Sequence, residues 1–181
     1  LQATYDRIRA YVAGSLESLI VLGYPESTLP DFQDALKAYL DKIGTPGMTA
    51  EGLLASFRDE MEGMFIITYL RCLCSLELLS HEDDYFPFVL GLSSCATVKQ
   101  FCDIEVEPVN HEADQVQITA LSRGWGVTVR IVYIDASPGD VANIVTFPDD
   151  GADAASSLVH LLYRPGHFDV AYPAGAAAAT A

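Results

Sequence analysis

Along the first half of the chain the apolar positions return at helical spacing. From Tyr5 to Leu22 they predict a helix that stops near Gly23 and Pro25. A second helix is expected from Thr28 to about Ile43, with Pro30 and Asp31 in its first turn, and Thr28 and Asp31 have the spacing of a capping box. Gly44, Pro46 and Gly47 break the chain, and a short helix from Thr49 to about Phe57 leads into a long one, roughly Asp59 to Leu79. On that helix Met61, Met64, Phe65, Thr68, Tyr69, Cys72, Leu73, Leu76 and Leu79 follow the i, i+3, i+4, i+7 pattern. Ile66, Ile67, Leu70, Cys74 and Leu78 make the other side apolar too, which predicts a buried central helix.

The period then changes. Thr97–Cys102 and Asp114–Ser122 still read as helical, but Val127–Ile134 is a strand rich in β-branched residues, preceded by Gly124-Trp125-Gly126. Leu158–Tyr163 and Phe168–Tyr172 read as two more strands, joined by Arg164-Pro165-Gly166-His167 in a hairpin. Helices first and strands later predict an α+β fold, a helical half packed on a small, mainly antiparallel sheet. The Ala-rich end, residues 173–181, is expected to be a disordered tail.

The chain has 181 residues, enough for one domain with a real core, and no apolar run approaches the roughly 20 residues of a membrane span. Leu1 is not a start methionine and no basic-then-apolar signal opens the chain, so the expectation is a soluble piece of a longer protein. The formal charge of −15, 25 acids against 10 bases, argues against a nucleic-acid partner and fits a basic protein partner or simple solubility. The four cysteines, Cys72, Cys74, Cys95 and Cys102, in a chain too large to need staples point to reduced thiols in the cytosol or nucleus.

Candidate chemistry narrows to His167 and Asp169. Side chains at i and i+2 of a strand share a face, so the carboxylate can lie beside the imidazole and fix its tautomer. The other ring nitrogen is then free to take a proton from a nucleophile. The spacing alone also fits a solvated surface pair. Cys72 and Cys74 sit in the buried helix and Cys102 ends an apolar turn, so they read as inert core thiols. Cys95, in a Ser/Gly-rich loop, is the one expected to be exposed, with no helix N-terminus to activate it. His81-Glu82-Asp83-Asp84 and His111-Glu112-Ala113-Asp114 lack the spacing of a zinc helix or calcium loop and read as acidic loops or helix starts. His160, alternating in an apolar strand, reads as structural. No metal or cofactor is expected, and phosphate-loop or Gly-x-Ser-x-Gly motifs are missing.

Read with its surroundings the pair becomes specific. Leu161-Leu162-Tyr163-Arg164-Pro165-Gly166-His167-Phe168-Asp169-Val170-Ala171-Tyr172 resembles the C-terminal catalytic segment of the otubain family of OTU-type cysteine peptidases. Thr97-Val98-Lys99-Gln100-Phe101-Cys102, Glu105-Val106-Glu107-Pro108, the run from Glu112 to Ser122 and Val129–Asp135 are similar to other family segments, as are Thr28–Phe32 and Leu53–Asp59. The resemblance implies an incomplete otubain domain over residues 1–172, with the papain-like OTU fold and deubiquitinase activity in the full-length protein. It implies His167 as general base and Asp169 as the residue that orients it. The family nucleophile lies in an Asp-Gly-Asn-Cys motif, which is expected to precede Leu1, and Cys102 matches a non-catalytic family cysteine. The partners implied are ubiquitin and polyubiquitin, with ubiquitin-conjugating enzymes for some members. Phe86, Phe88, Phe147 and Pro148 are implied as apolar ubiquitin contacts, Glu105 and Glu107 as acids facing basic ubiquitin side chains, and Asn143 as part of the same surface. Gln115, where relatives often carry His, and the bulky Arg123-Gly124-Trp125-Gly126 depart from the family pattern. The alternative is a non-catalytic ubiquitin-binding pseudoenzyme.

Overall fold

The computed structural model describes residues 2–134, 142–149 and 159–172, so the Ala-rich tail lies outside the described residues. The chain divides into two units, Leu1–Trp125 and Gly126–Ala181. The first is helical: α1 Gln2–Val21, α2 Leu29–Ile43, α3 Ala50–Arg58, α4 Glu60–Ser80, α5 Glu82–Leu92, α6 Val98–Phe101, a π-helical turn Cys102–Val106, and α7 Gln115–Trp125.

Local chemistry sets most of these starts. Thr49 Oγ1 accepts from the Gly52 amide, Asp59 Oδ1 from those of Met61 and Glu62, and Thr97 Oγ1 from that of Gln100, each capping a helix. The expected capping box at Thr28 does not form. Thr28 belongs to the turn bonded back to the Pro25 carbonyl, and its side chain makes no cap hydrogen bond.

Helix α4 is long because it serves two cores. Ile66, Tyr69 and Leu73 pack with Val12 and Leu19 of α1 and Leu36 and Leu40 of α2. Cys74 and Leu78 pack instead with Tyr85 and Val89 of α5, Val98 and Phe101 of α6, Val106, and Val116 and Ala120 of α7. Two cores on opposite sides explain an apolar surface nearly all round. Two polar pairs sit inside the first core: Ser15 Oγ and Tyr69 Oη are 2.7 Å apart, and Gln33 Nε2 donates to the Val12 carbonyl at 2.7 Å. The expectation of a fully buried helix is corrected at its first turns, where Met61, Met64 and Ile67 are exposed because neither core reaches them.

The second unit is a four-stranded sheet in the order β2-β1-β3-β4, with β1 Val129–Tyr133, β2 Asn143–Phe147, β3 Val159–Arg164 and β4 His167–Ala171. The β1–β2 and β3–β4 pairs are antiparallel and β1–β3 is parallel, so the sheet is mixed. The register fixes the faces. Arg130 pairs with His160, Leu162 with Asp169 and Arg164 with His167, which puts these polar groups on one side. Tyr133, Tyr163 and Phe168 line the other, with ring centroids 5.1 and 4.9 Å apart.

Candidate active site

The β3–β4 hairpin builds the site. Pro165 and Gly166 form a two-residue turn, and Gly166 takes φ +76, a left-handed conformation that any Cβ would strain. The turn places His167 at the first position of β4, directly across from Arg164. His167 and Asp169, two residues apart, then share the polar face of the sheet, as the spacing predicts.

His167 Nε2 lies 3.0 Å from Asp169 Oδ1. With the proton on Nε2 the ring donates to the carboxylate, and Nδ1 keeps its lone pair for an incoming proton. The other carboxylate oxygen faces a cation, since Arg164 Nη2 is 3.9 Å from Asp169 Oδ2. The Asp169 carboxyl is accordingly held below the usual carboxylate range, first by the hydrogen bond from His167, then by the charges of His167 and Arg164. The pair stays open to reactants, with side chains 49% and 57% exposed. Arg164 carried no role in the sequence reading; the short loop is the signal, because a two-residue turn fixes which residues face each other across it.

The thiols are unlike this pair. All four are buried, and burial pushes Cys72 and Cys102 up to about 12 and Cys74 up as well. Cys95 was expected to be the exposed thiol, yet it is 3% exposed. Its loop turns inward, with the Cys95 amide bonded to Ser93 Oγ and the side chain among Val89 and Val98. A thiol buried away from substrate cannot reach a carbonyl carbon, so none of the four is placed for that role.

The implied ubiquitin contacts divide. Phe86 and Phe88 stand exposed on α5, and Asn143 opens β2 at the surface. Glu105 is partly exposed and pairs with His111 at 3.3 Å. Pro148, reached through a cis peptide bond, is half-buried. Glu107 is half-buried and accepts hydrogen bonds from Tyr24 Oη at 2.5 Å and Ser75 Oγ at 3.3 Å, which ties it into the helical unit. One expectation of open contact is corrected. Phe147 is 5% exposed, so it holds the end of β2 instead of offering surface. Sequence reasoning also missed Arg71, whose guanidinium donates to the carbonyls of Val106, Val109 and His111 and pins the loop that carries Glu105. Among the described residues no three His, Cys, Asp or Glu side chains gather as a metal site, the His81 and His111 runs included. Glu82, Asp83 and Asp84 form the first turn of α5, where acids favour the helix dipole.

A sequence model of the peptidase C65 otubain family matches residues 1–173, which takes in both α4 and the His167–Asp169 hairpin. The chain is an otubain. It is 35% identical over 185 residues to the Arabidopsis thaliana OVARIAN TUMOR DOMAIN-containing deubiquitinating enzyme 1, covering 95% of this chain and 60% of that protein. It is 35% identical over 168 residues to the Homo sapiens ubiquitin thioesterase OTUB1, covering 92% of this chain and 59% of the relative. The otubain chain thus spans about three-fifths of the length of these relatives. A solved structure of a ceOTUB1 ubiquitin aldehyde UBC13~Ub complex superposes with a TM-score of 0.83 at 31% identity, over 95% of this chain and 68% of the other. A related h/ceOTUB1 complex with ubiquitin aldehyde and UBCH5B~Ub gives 0.82 at 30% identity, over 94% and 65%. The α+β architecture of this otubain is therefore the OTU fold of those complexes.

Proposed function

We propose that the whole protein is a cysteine-type deubiquitinase, with His167 as its general base and Asp169 as the residue that orients the base. The observation that carries the reading is the exposed 3.0 Å contact between His167 Nε2 and Asp169 Oδ1, in the segment that resembles the family's catalytic one and lies within the matched residues. In the mechanism, Nδ1 of His167 takes the proton of a thiol, and the thiolate attacks the carbonyl carbon at the ubiquitin C-terminus. The imidazolium, stabilised by Asp169, returns that proton to the leaving lysine amine. Water then cleaves the thioester with His167 again as base, releasing the carboxylate and restoring the thiol. The family's Asp-Gly-Asn-Cys motif is not among these 181 residues, so the thiol comes from outside them in this reading.

Ubiquitin, polyubiquitin and ubiquitin-conjugating enzymes are the proposed partners, supported by the likeness to otubain complexes with ubiquitin aldehyde and UBC13~Ub. Phe86, Phe88, Glu105, Glu107, Asn143 and Pro148 are the proposed ubiquitin contacts, and the cytosol and nucleus are the proposed locations. The test is cleavage of di-ubiquitin by the full-length protein. His167→Ala is expected to lose about a thousandfold or more in turnover with an unchanged melting curve. Turnover by that variant at the wild-type rate sinks the mechanism.

A second reading is a ubiquitin-binding pseudoenzyme, with which the burial of all four cysteines is equally compatible. It predicts ubiquitin binding without turnover by the full-length protein, and a folded chain that shows no binding in titration counts against it.

A further inference from the structure

The corner between α3 and α4 carries an open cleft of about 350 Å³, lined by Phe57, Arg58, Asp59, Glu60, Gly63, Met64, Ile67 and Val109. Its floor depends on a close approach. A Cβ on Gly63 would stand 2.7 Å from the Phe57 carbonyl oxygen, so only glycine lets α3 fold this tightly onto α4. Met61 and Leu54 extend the apolar side of the cleft by one helical turn on each helix. Met61 is 66% exposed and Met64 49%, and Leu54, Phe57, Ile67 and Val109 are exposed as well. Isolated exposed apolar side chains need no explanation, but a cluster of them around a cleft does.

Charge narrows the occupant. The rim carries Asp59 and Glu60 against Arg58 alone. Among the described residues Glu60 takes part in no ion pair. A second copy brings another −15 of charge and a second acidic rim, so self-association opposes the field. The stretches 135–141, 150–158 and 173–181 contain no Lys or Arg, so no such cation comes from them. Exposed methionines are soft and repack around varied aliphatic shapes, which suits a side-chain-anchored segment.

We propose that this cleft docks a basic amphipathic helix of a partner protein, with its apolar side chains over Phe57, Met61, Met64 and Ile67 and its lysines or arginines at Asp59 and Glu60. The proposal does not depend on the deubiquitinase reading, whose test is cleavage through His167.

The test uses the full-length protein and a fluorescent leucine–lysine peptide of about 18 residues with one apolar face, followed by anisotropy. A peptide of the same composition in scrambled order is the control. Saturable binding is expected, weaker by about tenfold for the scrambled peptide and for the Met61→Ser, Met64→Ser double variant. Glu60→Lys should weaken it severalfold, and Val170→Ser, on the sheet, should leave it unchanged. Melting curves check that each variant is folded, which the exposure of these positions favours. Equal binding of both peptides, or undiminished binding by the double variant, overturns the proposal. Displacement of the peptide by ubiquitin also overturns it and assigns the cleft to the ubiquitin surface. A dimer in sedimentation that the double variant dissolves gives the cleft to a second copy. Binding of phosphatidylcholine vesicles in place of the peptide gives it to a membrane.

Discussion

The far half of α4 and the β3–β4 hairpin are opposite solutions to placing a reactive side chain. On α4, Cys72 and Cys74 are surrounded by the two cores and hold their protons far above the ordinary thiol range. In the hairpin, His167 and Asp169 are roughly half exposed and touch each other through a single hydrogen bond. Burial supplies stability and removes chemistry; exposure on a fixed turn gives up stability and keeps the chemistry available. The same division predicts where the energy of folding resides and where that of catalysis does.

The largest expected effect follows from the core side. Leu73 is fully buried between α1, α2 and α4, and Leu73→Ala should cost about 2–5 kcal/mol in urea unfolding of the chain. His167→Ala, by contrast, should stay within about 0.5 kcal/mol. A hairpin variant as damaging as Leu73→Ala would break the comparison.

Next in size is an alkaline weakness. The ordinary thiol value is 9.0, and burial raises Cys72 and Cys102 to about 12. Above pH 9 the unfolded chain gives up thiol protons that the folded chain still holds, so stability is complete below that point and falls as pH rises toward 12. Each thiol adds a slope of at most about 1.4 kcal/mol per pH unit. Urea midpoints between pH 8 and 11 measure it, and Cys102→Ala should flatten the curve. A flat wild-type curve would mean that the thiols are hydrated and the burial argument is wrong.

The turn comes third. Gly166 at φ +76 makes Gly166→Ala strained by about 1 kcal/mol, enough to loosen the hairpin without unfolding the helical unit. Amide exchange of β4 should rise while that of α4 stays the same. Equal acceleration in both would show that the hairpin is no separate element.

These contrasts follow what was legible in the sequence. The periodicity of α1 to α4, the hairpin and the His167–Asp169 contact depend on neighbours in sequence, and each could be read from spacing. The strand Asn143–Phe147 and the helix Glu82–Leu92 could not. The strand is stabilised by pairing with β1, a distant segment, and Pro87 disguises the helix. The exposure of Met61 and Met64 and the burial of Cys95 and Phe147 were equally hidden. Periodicity shows that a side chain is apolar, and only the placement of other elements decides whether something covers it.

The smallest expected effect on stability bears most directly on the chemistry. Asp169 is held below the ordinary carboxylate value chiefly by the hydrogen bond from His167. Its folded value is depressed, so whatever it adds to stability is present above the unfolded value and is lost as pH falls through the folded one. At a solvent-exposed carboxylate that contribution is too small for unfolding curves, and the carboxyl carbon shift of Asp169 followed by NMR reads it directly. The titration midpoint should lie below the ordinary 3.8 and move up in His167→Ala, with a smaller upward shift in Arg164→Gln. The order of the two shifts is decisive, because the imidazole contact is 3.0 Å and the guanidinium contact 3.9 Å. If removing the ring leaves the midpoint in place, the two side chains do not meet in solution. The exposed half of the comparison would then be a pair of independent surface groups.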